Sequence, residues 1–393
     1  MNTATLKTEI TNELNNIITF WLNHTADQHN GGFLGRIDYN NQKDYTALKG
    51  SVLNARILWS FSAASLVQNS TLLETFAKSA FDYIRLNFVD PIHGGVYWTL
   101  NSDGSPAQIK KQVYAQAFSL YACAAYYKLN QDASAIKLAI DLFRVLEQHC
   151  HDDKHGGYYE AFDNDWACLE DVRLSDKDVN ASKSMNTNLH VLEAYTQLYI
   201  IWPDDALRKR IIELLDIFKT KIIHPATFHL RLFFDDTWNS NDSLVSFGHD
   251  IEASWLLLEA AEIIKDDVLI QELMKLSVLM AKSTIKGIDG NGGLFYEWNR
   301  LSGTMVKEKH WWVQAEALVG FFSAWQISGD EQYLQLVFSI WDFIKREMID
   351  YKNGEWFWGI SSDGELMNED KIGLWKCPYH NSRACLELLN RIK

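Results

Sequence analysis

The chain has 393 residues, 47% of them hydrophobic and 22% charged, a globular composition that excludes a disordered chain. A net charge of −14 argues against nucleic acid or an anionic membrane surface as partner. No apolar run is long enough to span a bilayer, and no basic segment precedes an apolar stretch at the start, so neither a membrane span nor a signal peptide is expected.

Leu6, Ile10, Leu14, Ile17 and Trp21 recur at helical spacing, so the chain begins in a helix. A Gly-Gly pair followed by aromatics then repeats: His29-Asn-Gly-Gly-Phe33, His93-Gly-Gly-Val-Tyr97, His155-Gly-Gly-Tyr-Tyr159 and Asn291-Gly-Gly-Leu-Phe295. Asn353-Gly-Glu-Trp-Phe357 is a weaker copy. The first glycines, at 31, 94, 156, 292 and 354, leave gaps of 63, 62, 136 and 62 residues. The long gap has room for a further unit with an insertion, placed near Phe228–Phe234, which alternates like a strand but lacks the glycines. The total is six units.

Each unit opens with a strand-turn-strand, as in 95–104, where Ser-Asp-Gly makes the turn. Two helical stretches follow. In the unit from Gly94 they cover about 110–129 and 132–150, with Asp132 as an N-cap. Six helix pairs either stack as an open solenoid or close on themselves. A solenoid needs polar caps at its ends. The last helix, Tyr379 to Ile392, keeps the aromatic-polar character of the others, so the expected fold is all-α: a single (α/α)6 barrel domain over 1–393, about twelve helices with short β-hairpins in the connections.

The five cysteines, at 123, 150, 168, 377 and 385, are odd in number and form no Cys-x-x-Cys, which suits free thiols in a reducing, cytoplasmic setting. His149-Cys150-His151-Asp152-Asp153 holds ligand-type residues without ligand spacing, and reads as a solvated helix end rather than a metal site. No phosphate-cradling glycine loop and no Gly-x-Ser-x-Gly elbow occurs. With 15 Trp, 16 Tyr and 20 Phe, aromatics exceed what a core requires and suit a pocket that stacks sugar rings.

Polar residues collect at the starts of the helices that follow the hairpins. These are Arg56; Tyr114; Asn186 and His190; His249, Asp250 and Glu252; Trp311, Trp312, Gln314 and Glu316; and His380, Asn381 and Arg383. Any one of them has a plain structural explanation: a lone helical histidine is commonly a hydrogen-bonded core residue, and Arg56 could close a buried ion pair. Their recurrence at one level of six units points instead to a shared site at one mouth of the barrel, where helix N-termini favour developing negative charge.

The stretches Ala55-Arg-Ile-Leu-Trp59, Met185-Asn-Thr-Asn-Leu-His190, Gly248-His-Asp-Ile-Glu-Ala-Ser-Trp255, Trp311-Trp-Val-Gln-Ala-Glu316 and Trp375-Lys-Cys-Pro-Tyr-His-Asn-Ser-Arg383 run across nearly the whole chain. Together they resemble the N-acylglucosamine 2-epimerase superfamily. Pro-Tyr-His-Asn is most similar to the branch acting on cellobiose. The resemblance implies an (α/α)6 barrel and, residue by residue, these roles: His249 and His380 as the acid/base pair, Glu252 as the acid supporting His249, and Arg56, Tyr114, Asn186 and His190 around the reacting sugar. It further implies Trp298, Trp312 and Trp375 as stacking aromatics and Asp178 near the distal sugar. Glu316 is expected among the substrate contacts.

The implied reaction inverts C2 of the reducing-end glucose of a β-1,4 disaccharide, cellobiose or lactose. It proceeds through the open-chain aldehyde and an enediolate. A base on one face and an acid on the other suffice, and imidazole titrates in the right range. Arg56 and His190 would stabilise the enediolate oxygen. No metal or other cofactor is expected, and the chain is expected to act as a monomer. An aldose–ketose isomerase and an N-acylglucosamine 2-epimerase are alternatives on the same fold. A glycoside hydrolase would have to use Glu252 with Glu316, and a non-catalytic helical scaffold is the other rival.

Overall fold

The computed structural model describes residues 1–241 and 243–392. Two kinds of helix alternate along it. The first kind comprises α1 (Thr3–His24), α3 (Thr71–Tyr83), α5 (Ala133–Val145), α7 (Asp205–Ile217), α9 (Asp267–Thr284) and α11 (Glu331–Phe343). These are amphipathic, as an outer wall with one wet face requires. Each begins at a side chain that accepts a backbone N–H of the first turn: Asn2, Ser70, Asp132, Asp204, Asp266 and Asp330.

The second kind comprises α2 (Ser51–Gln68), α4 (Val113–Asn130), α6 (Met185–Ile201), α8 (Phe247–Ile263), α10 (Trp311–Ser328) and α12 (Tyr379–Arg391). They are buried on nearly every side, and all but the amphipathic α12 have little apolar asymmetry, which is what an inner wall demands. α2 packs on α4, α4 on α6, α6 on α8, α8 on α10, α10 on α12, and α12 on α2. The ring is closed, so the barrel reading holds and the solenoid does not. The two chain ends meet as α1 packs on α12, with Lys7 Nζ donating to Ile392 O at 2.7 Å.

Outer helices lead into the glycine loops, several through a π-helical turn such as 84–88. In the loop at Asp90, Gly94 N donates to Asp90 O and Asp90 N donates to Gly95 O. Both glycines have positive φ, and a Cβ on Gly95 would lie 2.7 Å from Gln116 Oε1 and 2.8 Å from Trp166. Beneath five of the six loops runs a lysine–aspartate pair: Asp27–Lys49 at 2.9 Å, Asp90–Lys111 at 2.7 Å, Asp152–Lys183 at 2.6 Å, Asp289–Lys309 at 2.9 Å, and Asp350–Lys371.

The fourth loop departs from this. His224 takes the aspartate's place, and Phe228 N donates to His224 O at 2.9 Å with Phe228 itself at φ 58. Phe228 thus does without Cβ relief what glycine does elsewhere. The missing unit lies where the spacing put it, and its strand at Phe233–Phe234 pairs with Lys183–Ser184. Asp250 holds this loop in place of a lysine pair, accepting from Leu230 N at 2.8 Å and meeting His229 Nδ1 at 2.6 Å.

Among the described residues no helix is long and apolar enough to cross a membrane. All five cysteines are free thiols, four of them buried and Cys168 exposed.

Candidate active site

The N-terminal turns of the inner helices face one cavity of about 570 Å³. First turns supply Tyr114, Asn186, His249, Trp312 and His380, and second turns supply Arg56, His190 and Glu252. Side chains four apart on α6, Asn186 and His190, share a face as helical geometry requires. Connections close the outer part: Asp178 in the segment 173–181, Tyr296 and Glu297 in the fifth hairpin, Trp358, and Trp375 ahead of α12.

Below this wall lies an ion cluster. Arg383 donates through Nη1 to Glu193, and through Nη2 to Glu252 and to Glu316, the last at 2.6 Å. Tyr379 also donates to Glu193. One guanidinium therefore faces three buried carboxylates, and they do not share it equally. Burial, reinforced by the charge of Glu316, raises Glu252 to about 7. Burial also raises Glu316. Burial alone would raise Glu193 as well, but Arg383 and His190 hold it down at about 2.

Three of the four cavity histidines have Nδ1 in a hydrogen bond; the fourth, His310, meets Glu308 Oε2 through Nε2 at 2.9 Å. His190 meets Glu193 Oε2 at 2.8 Å, His380 meets Glu316 Oε1 at 2.7 Å, and His249 meets Ser246 Oγ at 2.7 Å. In these three Nε2 is the ring nitrogen left over. Burial first, and then the nearby His190, push His249 down to about 3. Burial, then Arg56 and Arg383, push His380 well below the ordinary histidine range. The ring of Trp312 lies 4.7 Å from that of His249 and 5.7 Å from that of His380, so one indole touches both imidazoles.

The expected bond between Glu252 and His249 is not formed. Glu252 Oε1 is taken by Arg383, and Oε2 has no partner. A buried carboxylate gains more from a guanidinium than from a neutral imidazole, which leaves His249 to Ser246. Two further expectations also change. Glu316 does not line the cavity; it lies behind His380 and Arg383. Trp298 does not line it either: its ring carries Lys286 Nζ at 3.3 Å from the centroid, and its hairpin neighbours Tyr296 and Glu297 take the wall.

Arg56, Tyr114, Asn186, Asp178 and Trp375 do line the cavity. Arg56 Nη2 donates to Tyr114 Oη at 2.9 Å, and the guanidinium lies 4.2 Å from the Phe118 ring centroid. Arg56 Nε, Asn186 Oδ1, Glu252 Oε2 and Trp311 Nε1 are buried without protein partners, so polar groups converge unspent on the cavity. Asp178 accepts from Ser175 N at 2.9 Å, and burial raises its pKa. Trp375 is half-buried, 5.8 Å from Trp98 and 6.1 Å from Tyr114 between ring centroids.

Sequence reading missed Ser246, Tyr296, Glu297 and Trp358. Only Ser246 left a signal: it falls three residues before His249, one helical turn away. The 149–153 stretch is dispersed, with His151 held by Asp153 and Glu213 and Asp152 by Lys183. Among the described residues one group of metal-ligand type converges, Glu252, Glu316 and His380, with ligand atoms within 4.8 Å of one another. The Arg383 guanidinium already touches both carboxylates and supplies the positive charge there.

Comparison with known proteins identifies the family. Cellobiose 2-epimerase of Bacteroides fragilis is 43% identical over 386 residues, covering 98% of each chain. That of Dictyoglomus turgidum is 38% identical over 394 residues, covering all of both. The solved structure of cellobiose 2-epimerase from Bacillus thermoamylovorans superposes with a TM-score of 0.93 at 38% identity, covering 99% of this chain and 100% of that one. The profile of the N-acylglucosamine 2-epimerase (GlcNAc 2-epimerase) family matches residues 32–384. The chain belongs to that family.

Proposed function

We propose that this protein is a cellobiose 2-epimerase. It interconverts glucose and mannose at the reducing end of cellobiose, and of related β-1,4 disaccharides such as lactose, in one barrel domain without a cofactor. The carrying observation is the pair His249 and His380: two imidazoles on different inner helices, both lining one cavity, both with Nδ1 engaged and Nε2 left over. Inversion at C2 of an open-chain aldose needs proton transfer on two faces, and this arrangement supplies a group for each.

One imidazole takes the C2 proton through Nε2, and the bonding pair passes into the enediolate. The other, which must carry a proton on Nε2 as the enediolate forms, delivers it to the opposite face. Negative charge on the enediolate oxygens is met by Arg56, whose Nε has no protein partner, and by His190. Tyr114 and Asn186 position the reacting sugar, Trp312 offers it a stacking face beside the two histidines, and Asp178 and Trp375 serve the distal sugar. His249 needs no metal to be neutral at physiological pH, since burial already holds its pKa low. Five free thiols fit a reducing cytoplasm, and the protein is read as a monomer.

Hydrolysis is the weaker reading. Glu252 and Glu316 share one guanidinium nitrogen, and Glu316 is absent from the cavity wall, whereas a hydrolase needs two carboxyls flanking the scissile bond at about 5 Å or more. The test is incubation of purified protein with cellobiose, lactose, N-acetylglucosamine and mannose, followed by chromatography. Glucosyl-mannose from cellobiose is the expected product. Free glucose would indicate hydrolysis, a glucosyl ketose would indicate isomerisation, and turnover of N-acetylglucosamine alone would move the protein to another branch of the family.

A further inference from the structure

Ser246 stands at the N-cap position of α8, with its Oγ 2.7 Å from His249 Nδ1. A serine there ordinarily spends its hydroxyl on a backbone N–H of the first turn. Ser184, at the same place on α6, does so, accepting from Thr187 N at 3.0 Å. Ser246 makes no such cap. It is buried, and its backbone is fixed by strand pairing opposite Glu297, so the hydroxyl is aimed rather than drifting.

The contrast among the three cavity histidines bonded through Nδ1 gives this its meaning. His190 and His380 rest on carboxylates, while His249 rests on a hydroxyl. A carboxylate favours the imidazolium; a hydroxyl carries no charge and does not. The groups facing His249 from the packed elements are His190 on α6, Glu252 on its own helix, Trp312 on α10 and His380 on α12, with Arg56 across the cavity. Glu252, the α8 carboxylate that lines the cavity with His249, is drawn off by Arg383, and Asp250 is engaged by His229 and Leu230.

Resting on the epimerase reading above, we propose that Ser246 is a positioning residue that keeps His249 as the neutral base of the resting enzyme. Its Oγ accepts from Nδ1–H, which fixes the tautomer with the lone pair on Nε2. When Nε2 takes the C2 proton, the C–H bonding pair enters the enediolate, and the new imidazolium keeps its Nδ1–H on Ser246. When the proton leaves Nε2 again, the same tautomer is restored. His380 must then bring the proton for the opposite face, and Glu316 at its Nδ1 is the group that favours its imidazolium when it does.

The test compares Ser246→Ala, Ser246→Thr and Ser246→Asp in the full-length protein, measuring kcat and KM on cellobiose across pH together with melting temperature. Ser246→Ala should lose about 10- to 100-fold in kcat with little change in KM, and Ser246→Thr should recover most of it. Ser246→Asp should move the acid limb of kcat/KM upward by about one pH unit, because an ionised partner favours imidazolium. Nitrogen-15 NMR of His249 gives a second readout independent of turnover: one tautomer, protonated on Nδ1, in the parent, and a mixture in Ser246→Ala. Parent-like kcat in Ser246→Ala, an unmoved acid limb in Ser246→Asp, or an unchanged tautomer in Ser246→Ala overturns the proposal. An inactive parent enzyme overturns the epimerase reading itself and is told apart by the first assay.

Discussion

Replacing Arg383 by Met tests how the site is built. The guanidinium is buried, and it is the cation touching Glu193, Glu252 and Glu316. Removing one partner of a buried ion cluster leaves uncompensated charge, at a cost of about 3–5 kcal/mol. A chain of 393 residues unfolds with an entropy of about 0.8 kcal/mol per degree, so the melting temperature should fall by about 4–6 °C. The loss should depend on pH with a definite sign. Glu252 has a folded pKa of about 7, raised above the ordinary glutamate range, so its ionisation costs stability as pH rises through that interval. Glu193, held at about 2, stabilises the parent above its unfolded value, and that contribution fades as pH falls toward 2. Without Arg383, Glu193 loses its main charge partner and joins the raised group. The deficit of Arg383→Met should therefore be large at about pH 8 and shrink on acidification toward about pH 5, as carboxyls protonate. Differential scanning calorimetry at several pH values measures it. A deficit that stays constant with pH, or one below about 1 °C, would refute the reasoning.

Other changes probe the chemistry. His249→Asn and His380→Asn should each lower kcat by at least about 100-fold while leaving the melting temperature near the parent's, and near-normal turnover in either removes the two-face assignment. Trp375→Ala should cost about 1 kcal/mol, or about fivefold in kcat/KM, on cellobiose and less on mannose or glucose; equal losses on both, with a lower melting temperature, mean that Trp375 only packs beneath α12. Exhaustive chelation should leave activity intact, because Arg383 already supplies the cation between Glu252 and Glu316; loss restored by one specific metal ion contradicts this.

Much of the fold was legible because it is repetitive. Glycine pairs at a spacing near 62 residues mark loops that need positive φ, and one such loop, at Phe228, could still be placed by counting although no glycine signals it. The lysine–aspartate pairs under the loops were not read, because each joins residues 20 to 31 apart, and only the fold brings them together. In the site, side chains on the first two turns of inner helices could be assigned from position, as Asn186, His190, His249 and His380 were. Which polar group takes which partner could not. Glu252 lies one turn from His249 in sequence, yet Arg383, 131 residues away, outcompetes the imidazole for it. Trp298 illustrates the same limit in a hairpin, where Lys286 claims the ring and leaves the cavity wall to Tyr296 and Glu297.

The central claim is that the protein inverts C2 of a reducing-end glucose by exchanging its proton. The most direct measurement is incubation with cellobiose in deuterium oxide, followed by proton NMR and mass spectrometry of the product. The account requires glucosyl-mannose carrying one solvent deuteron at C2, with the glycosidic bond intact. Mannose-type product that keeps its original C2 hydrogen, or release of free glucose in place of an epimer, would contradict it.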